Sequence, residues 1–264
     1  MDFAFERYFM IDFTNRWLIS QGMAPMTWEE IEALEGGTGK GRCRTIQDAL
    51  SRPGTWPHRW FSSSQTDISA YQELKYVYSL MWAAYSFSLV SYSRMHMRWR
   101  SDINAETVGD VGGSLYTAFR LVQFGAKEVY VYNFPDSPQG QIISDFAKMY
   151  GTPIIVTDDH ELIASKCSTL IMKAYLEHFP DVDVEMDKWL IQGRFNGALI
   201  ADNSFCEIAY GHYIPIKIFG EQVNEIFTAH ALFEDLMNQH YGFRTKDSIS
   251  RREGSELSIT RFKK

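Results

Sequence analysis

Residues Glu106 to Asn133 read ETVGDVGGSLYTAFRLVQFGAKEVYVYN. Two short apolar runs flank a pair of glycines and a longer mixed segment, which predicts a strand over 106–111, a helix over 114–124 and a second strand over 128–133. A turn between a first strand and its helix needs residues without bulky side chains, so that backbone can approach a ligand closely. Ligands of open α/β sheets sit outside the carboxyl ends of the strands. Asp110, Gly112 and Gly113 stand at that place in the stretch.

Outward from this stretch, the texture downstream stays the same. Short apolar runs alternate with helical segments, the pattern of a parallel sheet with crossover helices. A helix is predicted over 138–150, a strand over 153–157, a short helix near 159–166 and a strand over 169–174. Helix 182–193, strand 197–202 and a long helix over 221–240 follow. The apolar runs FRTKDSI and SELSITRF flank SRREG, and they predict a closing antiparallel hairpin. Upstream, residues 1 to about 104 read as helical. MTWEEIEALEGG pairs Thr27 with Glu30 as a capping box does and ends on Gly36 and Gly37. The chain is thus expected to divide into a helical N-terminal part, 1–104, and an α/β part, 105–264.

Composition narrows the functional classes. There are 26 Lys and Arg against 33 Asp and Glu, a net charge of −7, so no cationic surplus exists to drive binding to a phosphate backbone or an anionic membrane. Cys43, Cys167 and Cys206 form no close pair and no metal-type spacing, as expected of free structural thiols in a reducing cytoplasm. The opening MDFAFERYFMIDF carries acids and lacks the basic leader and apolar run of a secretory signal. Tyr76 to Ser93 pass without a charge, yet this run holds five serines and four tyrosines, so a buried or interface helix is expected there rather than a membrane span. GGTGKGR fails as a phosphate loop, because Leu34 and Gly41 stand where the pattern needs a glycine and a Ser or Thr.

Four segments, in order, resemble the class I S-adenosylmethionine-dependent methyltransferases. VGDVGGS is similar to the family's first strand and turn, LIMKAYLEHFPD to its fourth strand and the residues after it, RFNGALIADN to the turn into its fifth strand, and LMNQHYGFRTKDSI to its last helix and sixth strand. The resemblance covers about residues 105 to 264. It implies a Rossmann-like methyltransferase fold, a mostly parallel seven-stranded sheet with a C-terminal antiparallel hairpin, to which the upstream sequence adds an N-terminal helical subdomain. It also implies S-adenosylmethionine as cofactor and a small-molecule acceptor methylated on oxygen or nitrogen, and the charge balance and the polar content of Tyr76–Ser93 add the expectation of no nucleic-acid or membrane partner. Self-association through the N-terminal helices is a further expectation.

Carried over by position, the resemblance puts Asp110, Gly112, Gly113 and Ser114 around the methionine end of the cofactor. Asn133 falls at the ribose, Asp158 at the adenine amino group, and Lys173 after the fourth strand. An N-cap is the alternative role for the acids of VTDDH. The family's second and third glycines are Ser114 and Tyr116 here, and its ribose-binding acid is Asn133, which offers one acceptor oxygen and an amide donor. Methyl transfer mainly requires an acceptor held in line and, for a hydroxyl, a base. His178 and Glu177 are the candidate catalytic residues, with a structural His178 as the alternative. Tyr175, Tyr210, His212 and Tyr213 are candidate acceptor contacts. Asp202 and Asn203 resemble two ligands of the cation-dependent members, but the expected third ligand is absent from Met172-Lys173-Ala174, so no metal is expected. Two further classes remain open. One is a binding or scaffold protein that keeps the fold without the chemistry. The other is a nicotinamide-dependent oxidoreductase, which the glycine spacing and the lack of an acid at Asn133 disfavour.

Overall fold

The computed structural model describes residues 97–113, 115–173, 175–176, 179–203, 216–223, 226–250 and 258–264, together with 12–13, 15–17, 19–20, 22 and 25. The chain forms two compact units, Met1–Arg94 and Met95–Lys264. The helix predicted at 26–37, the loop at 36–42 and the charge-free run Tyr76–Ser93 lie outside the described residues. In the first unit residues 12–13, 15–17 and 19–20 are helical. Phe13 and Trp17, four apart and so on one helical face, are both buried, and an Asp12–Arg16 pair at 2.8 Å lies on the exposed side.

The second unit opens with a 3₁₀ turn, Met97–Asp102, and then runs β1 (Thr107–Val111), α1 (Leu115–Gln123), β2 (Glu128–Tyr132), α2 (Pro138–Tyr150), β3 (Ile154–Thr157), α3 (His160–Lys166) and β4 (Thr169–Lys173). There follow α4 (Val182–Asp187), extended by a π turn at Lys188–Gln192, and β5 (Ala198–Asn203). A small hairpin, β6 (Ile216–Ile218) and β7 (Glu221–Val223), leads to α5 (Ile226–Asp235) with its own π turn at Leu236–His240, then to β8 (Arg244–Ser250) and β9 (Ser258–Lys263). The main sheet has seven strands in the order β3-β2-β1-β4-β5-β9-β8. β1 to β5 are parallel, and β9 runs antiparallel to both β5 and β8. The expected five parallel strands and closing hairpin are therefore present.

Strand residues point alternately to the two faces, and both faces are covered. On one side Val111, Tyr130, Leu170, Met172, Leu199 and Phe262 belong to a core shared with Ile163 of α3, Met186 of α4, Trp189 and α5 residues such as Phe233. On the other side lie Val108, Val129 and Val131, all buried. Gly109 permits the close seat of α3, since a Cβ there would lie 2.8 Å from the Ile163 side chain and nearer still to Leu170.

Local chemistry sets the helix ends. Ser137 caps α2 by accepting from the Gly140 N–H, Pro138 occupies its first turn, and Gly151 closes it in the left-handed region at φ 61°. Asp159 and Asp181 cap α3 and α4 by accepting from Leu162 and Val184. The long helix predicted over 221–240 is corrected. Residues 221–223 form β7, and the helix begins at Ile226. The cause is a two-residue turn, Phe219-Gly220, with φ 52° and 78°, the conformation that closes tight antiparallel hairpins. Phe219 tolerates it because the Asp183 carboxylate accepts from its N–H at 2.6 Å and from that of Gly220 at 2.9 Å.

Candidate functional site

From β1 the sheet grows outward through β2 and β3 on one side and through β4 and β5 on the other. The chain order therefore reverses between β1 and β4, the place where open α/β sheets bind their ligands, outside the carboxyl ends of the strands. Register aligns those ends. Val111 pairs with Tyr132 and Met172, Tyr132 with Thr157, and Lys173 with Asp202. Gly112, Asn133, Asp158 and Lys173 each follow a residue of that paired row, so neighbouring members stand about one strand spacing, ~4.8 Å, apart. Four positions spread over sixty residues of chain are brought to one edge.

Asp110, the penultimate residue of β1, is fully buried. Its carboxylate runs forward against Gly113, where any Cβ would overlap it. Gly112 has φ 71°, in the left-handed region. A Cβ at Gly112 would also lie 2.6 Å from the Tyr175 ring, so the turn is bounded by a carboxylate beneath Gly113 and a phenol ring against Gly112. Ser114 lies outside the described residues. Tyr116 is in the first turn of α1, and its side chain is likewise outside the description.

Asn133 is tied into the edge rather than extended from it. Its Oδ1 accepts from the Phe134 N–H at 2.9 Å and lies 3.2 Å from the Ser137 hydroxyl. Its Nδ2 donates to the Gly113 carbonyl at 3.4 Å. At the next strand the two acids of VTDDH separate. Asp159 is the helix cap, its Oδ1 accepting from Leu162 at 2.9 Å, whereas Asp158 is exposed at the edge.

Behind the glycine turn lies a polar and aromatic cluster that the motifs do not announce. Buried Glu185 accepts from the Tyr175 hydroxyl at 2.5 Å and from the Trp189 indole N–H at 3.0 Å, and it pairs with Lys188 at 3.5 Å. Lys188 donates to the Tyr132 hydroxyl at 2.5 Å and lies 4.5 Å from the centre of that ring. Tyr132 in turn meets Trp189 edge-on at 5.0 Å. Burial, and then the charge of Glu185, push the Tyr175 phenol well above the ordinary tyrosine range, so Tyr175 is a fixed donor and wall. Its hydroxyl points to α4. Glu185 stands among Asp181, Asp183 and Asp187, a run of acids that reads as solvated. The only hint of its burial is Trp189 four residues on.

Glu177, His178, Tyr210, His212 and Tyr213 lie outside the described residues, as do the side chains of Lys173, Asp202 and Asn203; the backbones of the last two close β5. Among the described residues no group of three His, Cys, Asp or Glu could hold a metal ion, and no helix is long and apolar enough to cross a membrane.

No protein-family model matches the sequence, and no curated protein does. Solved structures do. The PH0226 protein of Pyrococcus horikoshii is similar over 68% of this chain and 91% of its own, with 14% identity and a TM-score of 0.47. Magnesium protoporphyrin IX methyltransferase of Synechocystis, solved with S-adenosylmethionine, is similar over 83% and 96%, with 14% identity and a TM-score of 0.47. The mitomycin 7-O-methyltransferase MmcR is similar over 89% and 66%, with 13% identity and a TM-score of 0.48. With 13–14% identity and TM-scores below 0.5 these likenesses are distant, and the fold is read from the chain's own topology. With its glycine turn after β1, its order β3-β2-β1-β4-β5-β9-β8 and its reversed β9, the chain has the fold of the class I S-adenosylmethionine-dependent methyltransferases.

Proposed function

We propose that the chain is an S-adenosylmethionine-dependent methyltransferase acting on an oxygen or nitrogen of a small molecule. The observation that carries the reading is the aligned edge, where Gly112, Asn133 and Asp158 follow three paired strand ends and Asp110 lies buried beneath the turn. A cradle that a Cβ would fill, next to a buried carboxylate, suits a cationic amino-acid end held by backbone. Asp110, Gly112 and Gly113 would hold that end, and Asp158 the adenine amino group. When bound, the cofactor would supply an electrophilic sulfonium methyl carbon, to which the acceptor lone pair bonds as the C–S bond breaks and its electrons go to sulfur, leaving S-adenosylhomocysteine. The chain's part is to hold the acceptor in line and to take a proton from a hydroxyl, with His178 and Glu177 as candidates. Tyr210, His212 and Tyr213, in the segment before β6, are candidate acceptor contacts. Residues 1–104 would cap the acceptor. The net charge of −7 supports an acceptor other than nucleic acid, and the three unpaired-spacing cysteines favour a cytoplasmic setting.

Titration calorimetry of the full chain with S-adenosylmethionine and S-adenosylhomocysteine tests the reading. Saturable binding of both is expected. Absence of binding would leave the second reading, a scaffold that retains the fold, which the engaged side chain of Asn133 favours.

A further inference from the structure

We propose that Asn133 is a positioning residue, which locks the Gly112–Gly113 turn to the end of β2 and the start of α2 and does not hold the hydroxyls of a ribose. The second clause rests on the cofactor reading above. The orientation of the amide follows from its partners. The Phe134 N–H can only donate, so the group facing it at 2.9 Å is the oxygen, and the Gly113 carbonyl can only accept, so the group facing it at 3.4 Å is the NH₂. A carboxamide oxygen has two acceptor sites. One takes the Phe134 N–H, and the Ser137 hydroxyl sits against the other at 3.2 Å, its single proton shared with the Phe134 carbonyl at 2.7 Å. What Asn133 can still present to a ligand is one N–H.

The surrounding loop is built to keep it there. The Asn133 N–H donates to the Thr157 carbonyl at 3.1 Å, anchoring the residue to the end of β3. Ser137, its partner, is also the cap of α2 and accepts from Gly140 at 3.0 Å. Gly140 lets residues 134–135 curl over that first turn, since a Cβ would lie 3.1 Å from the Pro135 Cα and closer to the Phe134 carbonyl. Three strand ends and one helix start thus meet on one residue, β3 through its backbone N–H and the others through its amide. A carboxylate in its place would keep the Phe134 bond but would set an oxygen against the Gly113 carbonyl oxygen, two acceptors with no proton between them.

The test uses the full chain with Asn133→Asp and Asn133→Ala. Amide hydrogen exchange of the ligand-free protein, read on peptides covering 110–117, is expected to be faster in both variants. Unchanged exchange in Asn133→Asp overturns the lock. Affinity for S-adenosylhomocysteine is expected to fall about fivefold in Asn133→Asp, the effect of one hydrogen bond, and tighter binding overturns the ribose clause. The affinity ratio of S-adenosylhomocysteine to its 2′-deoxy analogue is expected to stay within about twofold between wild type and Asn133→Ala, as for groups that do not touch. Collapse of that ratio in the variant identifies Asn133 as a ribose contact and overturns the clause too. If the wild type binds neither cofactor form, the cofactor reading and the ribose clause fail together, while the exchange experiment still decides the lock.

Discussion

Gly109 and Gly112, three residues apart, illustrate how differently one residue type is used. Gly109 lies within β1 and makes room for Leu170 and Ile163, so it is a packing glycine. Gly112 has a left-handed backbone and the Tyr175 ring against it. Gly109→Ala is expected to overpack the α3 face and destabilise the fold by about 1–3 kcal/mol without changing ligand affinity relative to stability. Gly112→Ala adds about 1–2 kcal/mol of backbone strain and displaces the wall of the cleft. Urea melts and calorimetry on both variants separate the two uses, since only Gly112→Ala should lose S-adenosylhomocysteine affinity beyond its loss of stability. The importance of Gly112 was legible from its place after a strand. The reason for Gly109 was not, because Ile163 and Leu170 are more than fifty residues away in the chain.

Among the elements, α4 ties the cleft to the rest of the unit. Its inner side carries Glu185, and its π turn brings Lys188 and Trp189 to the same cluster, a use of wide turns often found beside functional sites. Glu185→Ala leaves the Tyr175 hydroxyl and the Trp189 N–H buried without their acceptor, and a loss of about 2–4 kcal/mol is expected. Glu185→Gln keeps an acceptor oxygen at similar volume and should cost about half as much by thermal or urea melting. The same helix holds the β6–β7 hairpin through Asp183 and through its cap Asp181, which lies 2.9 Å from Lys217. Burial opposes ionisation of Asp181, but the hydrogen bonds from Lys217 and the Val184 N–H outweigh it and leave its carboxyl below the ordinary range. A carboxyl depressed in the folded state stabilises above its unfolded value, near pH 4, and that contribution is lost as pH falls through the folded value. Asp181→Asn retains the helix cap and loses the charge. Its melting temperature should be slightly below that of wild type at pH 7, with the difference shrinking only as pH falls below about 4 and vanishing once it has passed the depressed folded value, as read from thermal melts across that window.

For the molecule as a whole, the division into Met1–Arg94 and Met95–Lys264 sets the largest experiment. In the second unit the 3₁₀ turn is already joined to the sheet, for Asp102 pairs with Arg261 of β9 at 2.8 Å and its carbonyl accepts from Thr169 at 2.8 Å. A chain beginning at Met95 therefore keeps the sheet with its glycine turn. If the N-terminal residues cap the acceptor, such a chain is expected to bind S-adenosylhomocysteine within severalfold of the full chain, an effect below about 1.4 kcal/mol, and to transfer no methyl group. Calorimetry and a methyl-transfer assay on the two chains check both halves.

Alternation of short apolar runs with helical segments, two glycines after the first strand and a closing pair of strands were enough to read the layered sheet from the chain, because each depends on neighbours a few residues apart. The β6–β7 hairpin was missed, since its turn needs φ above zero at Phe219, and the Asp183 carboxylate that supports it comes from another element. At the edge, Asp110, Gly112, Gly113, Asn133 and Asp158 were all legible as positions, but not what each side chain does. The amide of Asn133 spends its oxygen within its own loop and its NH₂ on the Gly113 carbonyl, and Tyr175 turns its hydroxyl to Glu185. Those directions are set by partners that meet only when β1, β2, β4 and α4 pack together. Local order in the chain specified the sheet and which residues reach its carboxyl edge, and the chemistry presented at that edge came from long-range contacts that no local pattern encodes.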